Sequence, residues 1–135
     1  MDVGTGTGIL AIAAAKLNLR SRISNPKLFG CDTDVDSITI AKENAESNGV
    51  GEAVEFAIGS ITDSTPAFDF VCANLTLDVI LPILPMLIEK AEKTLVMSGI
   101  LAEQKEEIVA ALEELGIKDH VIVQASEWIS VCAQW

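Results

Sequence analysis

The sequence contains no tyrosine, one histidine and only nine lysine and arginine residues among 135. Nucleic-acid sites need clustered basic residues, so nine scattered ones against 20 acidic residues argue against a nucleic-acid partner. Every apolar run is shorter than the roughly 20 residues of a membrane span, so no membrane segment is predicted. The net charge of −11 favours a cationic partner, such as a lysine-rich protein, or simply reflects a solvated acidic surface.

Cysteine is also sparse, and its spacing excludes the usual zinc motifs. Cys31, Cys72 and Cys132 lie in separate apolar segments, with no C-x-x-C pair and no clustered histidine. We therefore predict no metal site and buried thiols in a reducing compartment, which implies a cytoplasmic location. The single histidine, His120, precedes a predicted strand and is interpreted as a surface residue.

What the sequence does contain is a glycine-rich stretch near its start. Gly4, Gly6 and Gly8 alternate with other residues, a pattern that suits a tight turn better than a helix or strand. Strong helix formers follow from Ile9, so the turn opens into a helix whose N-terminus can receive an anionic group. The G-x-G-x-G spacing lacks the later glycine of the dinucleotide fingerprint and the G-K-[ST] ending of NTPases. A tight turn without a ligand is the alternative.

Periodicity and turn residues predict alternating strands and helices along the rest of the chain. A polar connection ends the first helix before Pro26, and Pro82 and Pro85 are expected to bend the third helix or delay its start. In the fourth helix, Ile108, Leu112 and Leu115 are predicted to point inward, with Gly116 just past its end. The predicted strands are 27–32, 53–58, 68–73, 94–98, 121–123 and 128–133, and the later helices are 34–48, 78–93 and 103–115.

The order of these elements predicts an α/β fold. Nearly all-apolar strands that alternate with helices indicate a doubly wound, mostly parallel sheet with helices on both faces. The link around Ser126 is too short for a crossover, so the last two strands form an antiparallel pair at the C-terminal end. The length fits a single domain, 1–135.

Polar residues follow several predicted strands and should gather at the carboxyl edge of the sheet, where ligands of this fold bind. They are Asp2 to Gly8, Asp32, Ser60, Asn74 and the pair Ser98 and Gly99. A carboxylate can accept two parallel ribose hydroxyls, which is the role expected of Asp32. Asp32 could instead cap the next helix, but Asp34 and Asp36 are better placed for that, and an acid here disfavours NADP.

At this point the chain resembles the class I methyltransferases that use S-adenosylmethionine, and among them the PrmA-type methyltransferases of large-subunit ribosomal protein eleven. The matching stretches cover nearly the whole chain in order. They are residues 2–15, 30–34, 41–49, 68–75, 95–101 and the pair Glu127 and Trp128.

The resemblance implies a role for each candidate site residue. Gly4, Gly6 and Gly8 would let the backbone approach the methionine part of S-adenosylmethionine, within a turn that also includes Asp2 and Thr5. Asp32 would hold the ribose, and Ser60 and Ile61 would border the adenine. Asn74 would line the acceptor pocket beside the methyl group and is the candidate catalytic residue. An asparagine at a strand end also commonly forms a turn with its own backbone.

The implied activity is methyl transfer to amino groups, either lysine side chains or an N-terminus, of a ribosomal large-subunit protein. Aligning a neutral amine with the methyl–sulfur bond needs little covalent help from the protein. An inactive fragment, or a methyltransferase for another amine, is the alternative. An NAD-dependent oxidoreductase is disfavoured by the missing third glycine and by the lack of a suitable catalytic lysine, tyrosine or histidine.

The sequence departs from the family pattern in several places. Only Met1 precedes Asp2, so the first strand is expected to be truncated and the N-terminal recognition domain of relatives to be absent. We expect weak cofactor binding and self-association through the gap in the sheet. Ser60 stands where the family often has an acid, and Glu92 to Thr94 replaces a Pro-Gly-Gly turn.

Overall fold

The computed structural model describes residues 1–21 and 28–135, which form two compact units, Met1–Ser60 and Ile61–Trp135. The predicted polar connection containing Pro26 falls largely on residues outside this described part. No helix of the described residues is long and apolar enough to cross a membrane.

The elements of the first unit are β1 (Asp2–Val3), α1 (Ile9–Ser21), β2 (Leu28–Asp32), α2 (Val35–Ser47) and β3 (Val54–Ile58). Those of the second are β4 (Phe68–Asn74), α3 (Leu77–Lys90), β5 (Ala91–Leu101), α4 (Lys105–Glu114), β6 (His120–Ala125) and β7 (Trp128–Gln134).

The first unit is a parallel arrangement in which β2 lies between β1 and β3. Strand β1 has only two residues, as the sequence predicts, and Asp2 is paired with Gly30 and Val3 with Cys31. Helices α1 and α2 pack on these strands through small and branched apolar side chains. The buried cluster consists of Ala11, Ile12, Ala15, Ile38, Ala41, Ala45, Val50, Val54 and Phe56.

Helix α2 begins and ends where its sequence indicates. The Asp34 carboxylate accepts hydrogen bonds from the backbone N–H groups of Asp36 and Ser37, so it satisfies donors that have no partner within the helix. Gly49 follows the C-cap with a φ of 71°, a left-handed conformation that glycine adopts without steric cost. Because Asp34 caps the helix, the carboxylate of Asp32 is left for another role.

In the second unit the strands lie in the order β4-β5-β7-β6. Strands β4 and β5 are parallel, and β7 is antiparallel to both β5 and β6. Burial alternates along the strands. The buried face carries Val71, Ala73, Leu95, Met97, Ile129, Val131 and Ala133, and the other face carries half-buried or exposed residues such as Phe70, Cys72, Val96 and Cys132. Within residues 1–21 and 28–135, seven strands, mostly parallel with antiparallel strands at the C-terminal end, and four α-helices confirm the predicted fold class.

Three boundary predictions were wrong. Helix α3 begins at Leu77 with both Pro82 and Pro85 inside it, so the prolines do not delay its start, and it ends at Lys90 instead of Lys93. Leu115 is 43% exposed instead of inward, because α4 ends at Glu114. Ile108 and Leu112 are fully buried, as predicted.

The third error concerns Gly99, which was expected to end a strand but lies inside the eleven-residue β5. Its φ is 82°, and the pairing of β5 with β7 shifts between Met97 and Ile100. A Cβ added at this position would lie 2.8 Å from the Leu75 carbonyl oxygen and 2.9 Å from Asn74 Oδ1. Gly99 is therefore an irregularity in the strand that allows the backbone after β4 to approach closely.

We expect Gly99→Ala to lower the free energy of unfolding by about 2–3 kcal/mol, from the left-handed backbone and the clash combined. Gly116→Ala is the matched control, since Gly116 has a φ of 84° but no atom within 4 Å of an added Cβ. That variant should lose only about 1 kcal/mol. Urea titrations followed by circular dichroism measure both, and equal losses in the two variants would show that the contact at Gly99 is unimportant.

Candidate functional site

The glycine stretch forms a turn between β1 and α1. Gly4, Gly6 and Gly8 all have positive φ, of 72°, 53° and 81°. The Gly4 and Thr5 N–H groups both donate to the Cys31 carbonyl oxygen at 2.9 Å, which fixes the start of the turn against the end of β2. Gly8 N–H donates to the Thr5 carbonyl oxygen at 2.8 Å and closes the turn where α1 begins.

The side chains of Asp2 and Asn44 hold the turn in place by hydrogen bonds. Asp2 is buried, and its Oδ2 accepts a hydrogen bond from Thr5 Oγ1 at 2.7 Å. On the other side, Asn44 Nδ2 in α2 donates to the Thr7 carbonyl oxygen at 2.9 Å. Burial of a carboxylate is costly unless hydrogen-bond partners offset its desolvation, and Thr5 supplies one such partner to Asp2. The predicted site residues Asp2 and Thr5 therefore shape the turn.

The Asp32 carboxylate connects the end of β2 to the middle of the turn. Its Oδ2 accepts from the Gly6 N–H at 2.8 Å, and its Oδ1 accepts from the Asp34 N–H at 3.0 Å. Each carboxylate oxygen has a further lone pair, so the half-buried group can still accept hydroxyl donors from a ligand. The carboxylate is thus oriented by the backbone before any ligand binds.

The space above the turn differs sharply between its glycines. A Cβ added at Gly6 would meet no atom within 4 Å, so this backbone is open to a ligand. A Cβ at Gly8 would lie 3.0 Å from Ala41 Cβ and 3.1 Å from Phe56 Cζ, which makes Gly8 a packing position. The turn therefore has one open glycine beside an oriented carboxylate, a form that fits a ribose-containing ligand such as S-adenosylmethionine.

The remaining predicted site residues lie shortly after β3 or at the end of β4. Ser60 is exposed and follows Gly59, whose N–H donates to the Asp32 carbonyl oxygen at 2.8 Å. Ile61 and Asn74 belong to the second unit, where Ile61 is buried and Asn74 is exposed as the last residue of β4. Ser98 lies opposite Asn74 in β5, and its carbonyl oxygen accepts from the Leu75 N–H at 3.0 Å.

Sequence reasoning missed two residues that support the turn. A Cβ at Gly30 would come within 2.9 Å of both Phe56 and Thr5 Oγ1, so only glycine fits there. The signal was a glycine inside an otherwise apolar strand, which often marks close approach of another group. Asn44 gave no such signal, because its contact with Thr7 spans 37 residues.

Burial also changes the pKa of the thiol of Cys31, whose carbonyl oxygen accepts from the turn. Cys31 is 2% exposed, and desolvation raises the pKa of its thiol to about 11 from 9.0, with the Gly4 backbone acting in the opposite direction and Asp2 and Asp32 adding to the rise. The thiol of the unfolded chain ionises near pH 9, whereas that of the folded chain stays protonated until about pH 11. The folded chain then binds more protons, so this contribution to stability is present below pH 9 and disappears as the pH rises to 11.

We therefore expect the unfolding free energy of the wild type to fall between pH 9 and 11 relative to that of Cys31→Ala. Denaturant titrations at several pH values measure both, and subtracting the two curves removes the effect of other titrating groups. Parallel curves over this pH range would contradict the assignment. A constant offset between them is expected from the smaller side chain and is irrelevant to the test.

The chain is similar in sequence to proteins of one known family. The profile of the family "Ribosomal protein L11 methyltransferase (PrmA)" matches residues 1–135. Similar curated proteins include the ribosomal protein L11 methyltransferases of Myxococcus xanthus, 32% identical over 134 residues, and of Dictyoglomus turgidum, 36% identical over 137. Each alignment covers 99% of this chain but only 44% and 43% of the relative. The chain thus spans less than half the length of the curated relatives it matches.

Solved structures show the same likeness. The crystal structure of a ribosomal protein L11 methylase from Lactobacillus delbrueckii subsp. bulgaricus is 32% identical with a TM-score of 0.85, over 97% of this chain and 66% of that one. An RNA methyltransferase from Salinibacter ruber in complex with S-adenosyl-L-homocysteine has a TM-score of 0.70 at 21% identity, over 98% of this chain and 77% of that one, which shows the fold alone. Because the family profile matches residues 1–135, the whole of this chain, the chain belongs to the ribosomal protein L11 methyltransferase family.

Proposed function

We propose that this chain is the cofactor-binding and catalytic part of an S-adenosylmethionine-dependent protein N-methyltransferase. The observation that carries the proposal is the open backbone at Gly6 beside the Asp32 carboxylate, which is already oriented by the N–H groups of Gly6 and Asp34. A preoriented acceptor loses less conformational freedom on binding, which favours affinity. Family membership over the whole chain supports the same activity.

Each part of the cofactor has a candidate partner in this proposal. The turn through Gly4, Gly6 and Gly8 receives the methionine part, and Asp32 accepts the ribose hydroxyls. Asp2 and Thr5 act through the turn, because their mutual hydrogen bond holds its base. Ser60 and Ile61 border the adenine.

S-adenosylmethionine supplies an activated methyl group on a sulfonium, so the protein's task is to position the acceptor and exclude water. An acceptor lysine has a reference pKa of about 10.4 and must lose a proton to solvent before its nitrogen can attack the methyl group. Carbonyl oxygens near Asn74 can accept hydrogen bonds from the neutral amine, and the Asn74 side chain supplies a further acceptor. Asn74 is the proposed acceptor-site residue on this basis.

The proposed methyl acceptor is an amino group of ribosomal large-subunit protein L11. The net charge of −11 favours encounter with a cationic protein over a polyanion. Three expectations remain predictions: no direct nucleic-acid partner, a cytoplasmic location, and self-association through the incomplete sheet.

Isothermal titration calorimetry with S-adenosylhomocysteine tests the proposal. Micromolar binding, with no heat from NADH under the same conditions, is the expected result. No binding at millimolar S-adenosylhomocysteine would instead identify the chain as a fragment that folds without a cofactor. Transfer of a radiolabelled methyl group to purified L11 then tests the acceptor.

A further inference from the structure

Strand β3 is the outermost strand of the first unit, and its edge away from β2 is regular. Among residues 1–21 and 28–135, the only strand that pairs with β3 is β2. All five residues of β3 are in register with β2 without a bulge, and none is proline. Native proteins usually protect such an edge with proline, bulges or charges, and here Glu55 is the only charged residue of the strand. The edge is therefore open to pairing with another strand.

The backbone groups of Val54, Phe56 and Ile58 point away from β2. In a parallel ladder the N–H and C=O of one residue point to the same neighbouring strand, and successive residues alternate. The Gly59 N–H donates to the Asp32 carbonyl oxygen at 2.8 Å, so Gly59 faces β2. Counting back from Gly59, every second residue faces β2, and the three residues between them face the open edge.

A cavity of about 190 Å³ lies beside this edge, between α2 and β3. It is lined by Lys42, Ala45, Glu46, Gly51, Val54 and Phe56. A cavity of about 150 Å³ can hold a benzene-sized group, so this one has room for a branched aliphatic side chain. Ile58 lies on the same face of the strand as Val54 and Phe56, but it does not line the cavity and is 60% exposed.

Two copies of β3 complement each other when they pair antiparallel about Phe56. In that register Val54 lies opposite the partner's Ile58, and Glu55 lies opposite the partner's Ala57. The residues that face the open edge then form the hydrogen-bonded pairs. Directly opposite side chains have Cβ atoms about 4.5–5.5 Å apart, so the partner's Ile58 comes beside Val54, at the cavity.

Charge favours a second copy over other occupants of this edge. The net charge of −11 makes two copies repel each other, so a contact between them has to keep like charges apart. In the antiparallel register Glu55 faces an alanine and not another carboxylate. A basic peptide would find a single carboxylate along β3, which offers it little complementarity.

We propose that β3 is a dimerisation edge, at which a second copy of this chain pairs antiparallel about Phe56 and inserts its Ile58 into the cavity between α2 and β3. This edge lies on the opposite side of β2 from the two-residue β1, so the contact differs from self-association through the incomplete sheet. It does not rest on the proposed cofactor site. Five paired residues bury much less than the roughly 1,600 Å² of a standard interface, so we expect an equilibrium between monomer and dimer.

Sedimentation velocity over a concentration series compares the wild type with Ile58→Asp and Val121→Asp. The wild type should move from a mass of 14.3 kDa toward twice that value as its concentration rises. Ile58→Asp should raise the dimer dissociation constant about 100-fold, because it removes an apolar side chain from the contact and places a carboxylate at the cavity. Val121 is the matched control, since it is 63% exposed on β6, the outermost strand of the second unit. Val121→Asp should dimerise like the wild type.

Cysteine crosslinking tests the register separately. Glu55 and the partner's Ala57 would form a non-hydrogen-bonded pair with Cα atoms about 4.5 Å apart, which a disulfide can span. On oxidation, a mixture of Glu55→Cys and Ala57→Cys should therefore yield more crosslinked dimer than either variant alone. The separate variants also correct for disulfides through the native cysteines.

A wild type that stays monomeric at its highest soluble concentration overturns the inference. An Ile58→Asp protein that dimerises like the wild type does so too, and so does a Val121→Asp protein that dissociates as far as Ile58→Asp. A mixture that crosslinks no more than its components overturns the register and the inference with it. If Ile58→Asp does not fold, Ile58→Thr and Val121→Thr replace the pair, with the same outcomes decisive. Binding of S-adenosylhomocysteine is measured independently, so each of these results leaves the proposed function intact.

Discussion

Gly8→Val is expected to lower the free energy of unfolding by about 3–5 kcal/mol, the sum of a left-handed backbone that valine disfavours and overpacking of a filled site. Gly8 has a φ of 81°, and a Cβ there would already lie 3.0 Å from Ala41 Cβ and 3.1 Å from Phe56 Cζ. Valine adds two further methyl groups against α2 and β3. Since small domains are stabilised by only about 5–15 kcal/mol, this single change removes a large part of the total.

Urea titration measures the effect, and Gly6→Ala is the control within the same turn. Gly6 also has a positive φ, of 53°, but a Cβ there meets no atom within 4 Å, so the expected loss is about 1 kcal/mol. For binding of S-adenosylhomocysteine we expect the reverse order. Gly6→Ala should weaken binding more than Gly8→Val, because the Cβ of Gly6→Ala projects into the open space proposed for the cofactor. If Gly8→Val is too unstable to purify, Gly8→Ala serves in its place. A Gly8→Val protein as stable as the wild type would contradict the packing described for this turn.

Asp32→Ala is expected to weaken S-adenosylhomocysteine binding about 100-fold, because hydrogen bonds from two ribose hydroxyls to a carboxylate contribute about 1.5 kcal/mol each. The loss should exceed that of any other single carboxylate, since Asp32 is the one held by the Gly6 N–H within the turn. Asp32→Asn keeps an oxygen that can accept from Gly6 but removes the charge. It should bind about tenfold more weakly than the wild type, because neutral hydrogen bonds are weaker than charge-assisted ones.

Asp34→Ala is the matched control for this affinity measurement. Its carboxylate accepts from Asp36 and Ser37, which also holds the pKa of Asp34 below its ordinary value through the Ser37 side chain and the two N–H groups. Removing it shortens or frays α2 and lowers stability, but it leaves the Asp32 carboxylate in place. Calorimetry should therefore find near-wild-type affinity in Asp34→Ala. Equal losses in both variants would mean that Asp32 acts through the turn's stability and not through the ribose.

Local signals were sufficient to predict much of the fold. As predicted, Asp34 caps the start of a helix, and a left-handed glycine, Gly49 or Gly116, follows the end of one. These features depend on neighbouring residues only. The junction between α3 and β5 gave no such signal. Glu89 to Lys93 contains good helix formers and neither glycine nor proline, yet the backbone becomes extended at Ala91. Pairing with β4 imposes the strand there, and such pairing is not visible in a local window.

The candidate site was likewise predicted only in part from the sequence. The glycine spacing and the acid after β2 were recognisable, and their meeting at the Gly6 N–H confirms that the two motifs of the first unit lie together. The contribution of Gly30 and Asn44 depends on residues distant in sequence, so it required the folded chain. Gly99 is a similar case, because its conformation reflects the close approach of Leu75 and was misread as a strand end.

The register of the strands in the second unit limits which disulfides oxidation can form. Cys72 on β4 and Cys132 on β7 are both aligned with Val96 on the intervening strand β5. Two strand spacings separate them, roughly 9–10 Å, which exceeds the Cα separation of about 4.4–6.8 Å that a disulfide can span. These two thiols therefore cannot crosslink within one folded chain. A disulfide between Cys72 and Cys132 in an oxidised sample must therefore join two molecules, and it would run as a dimer on a non-reducing gel.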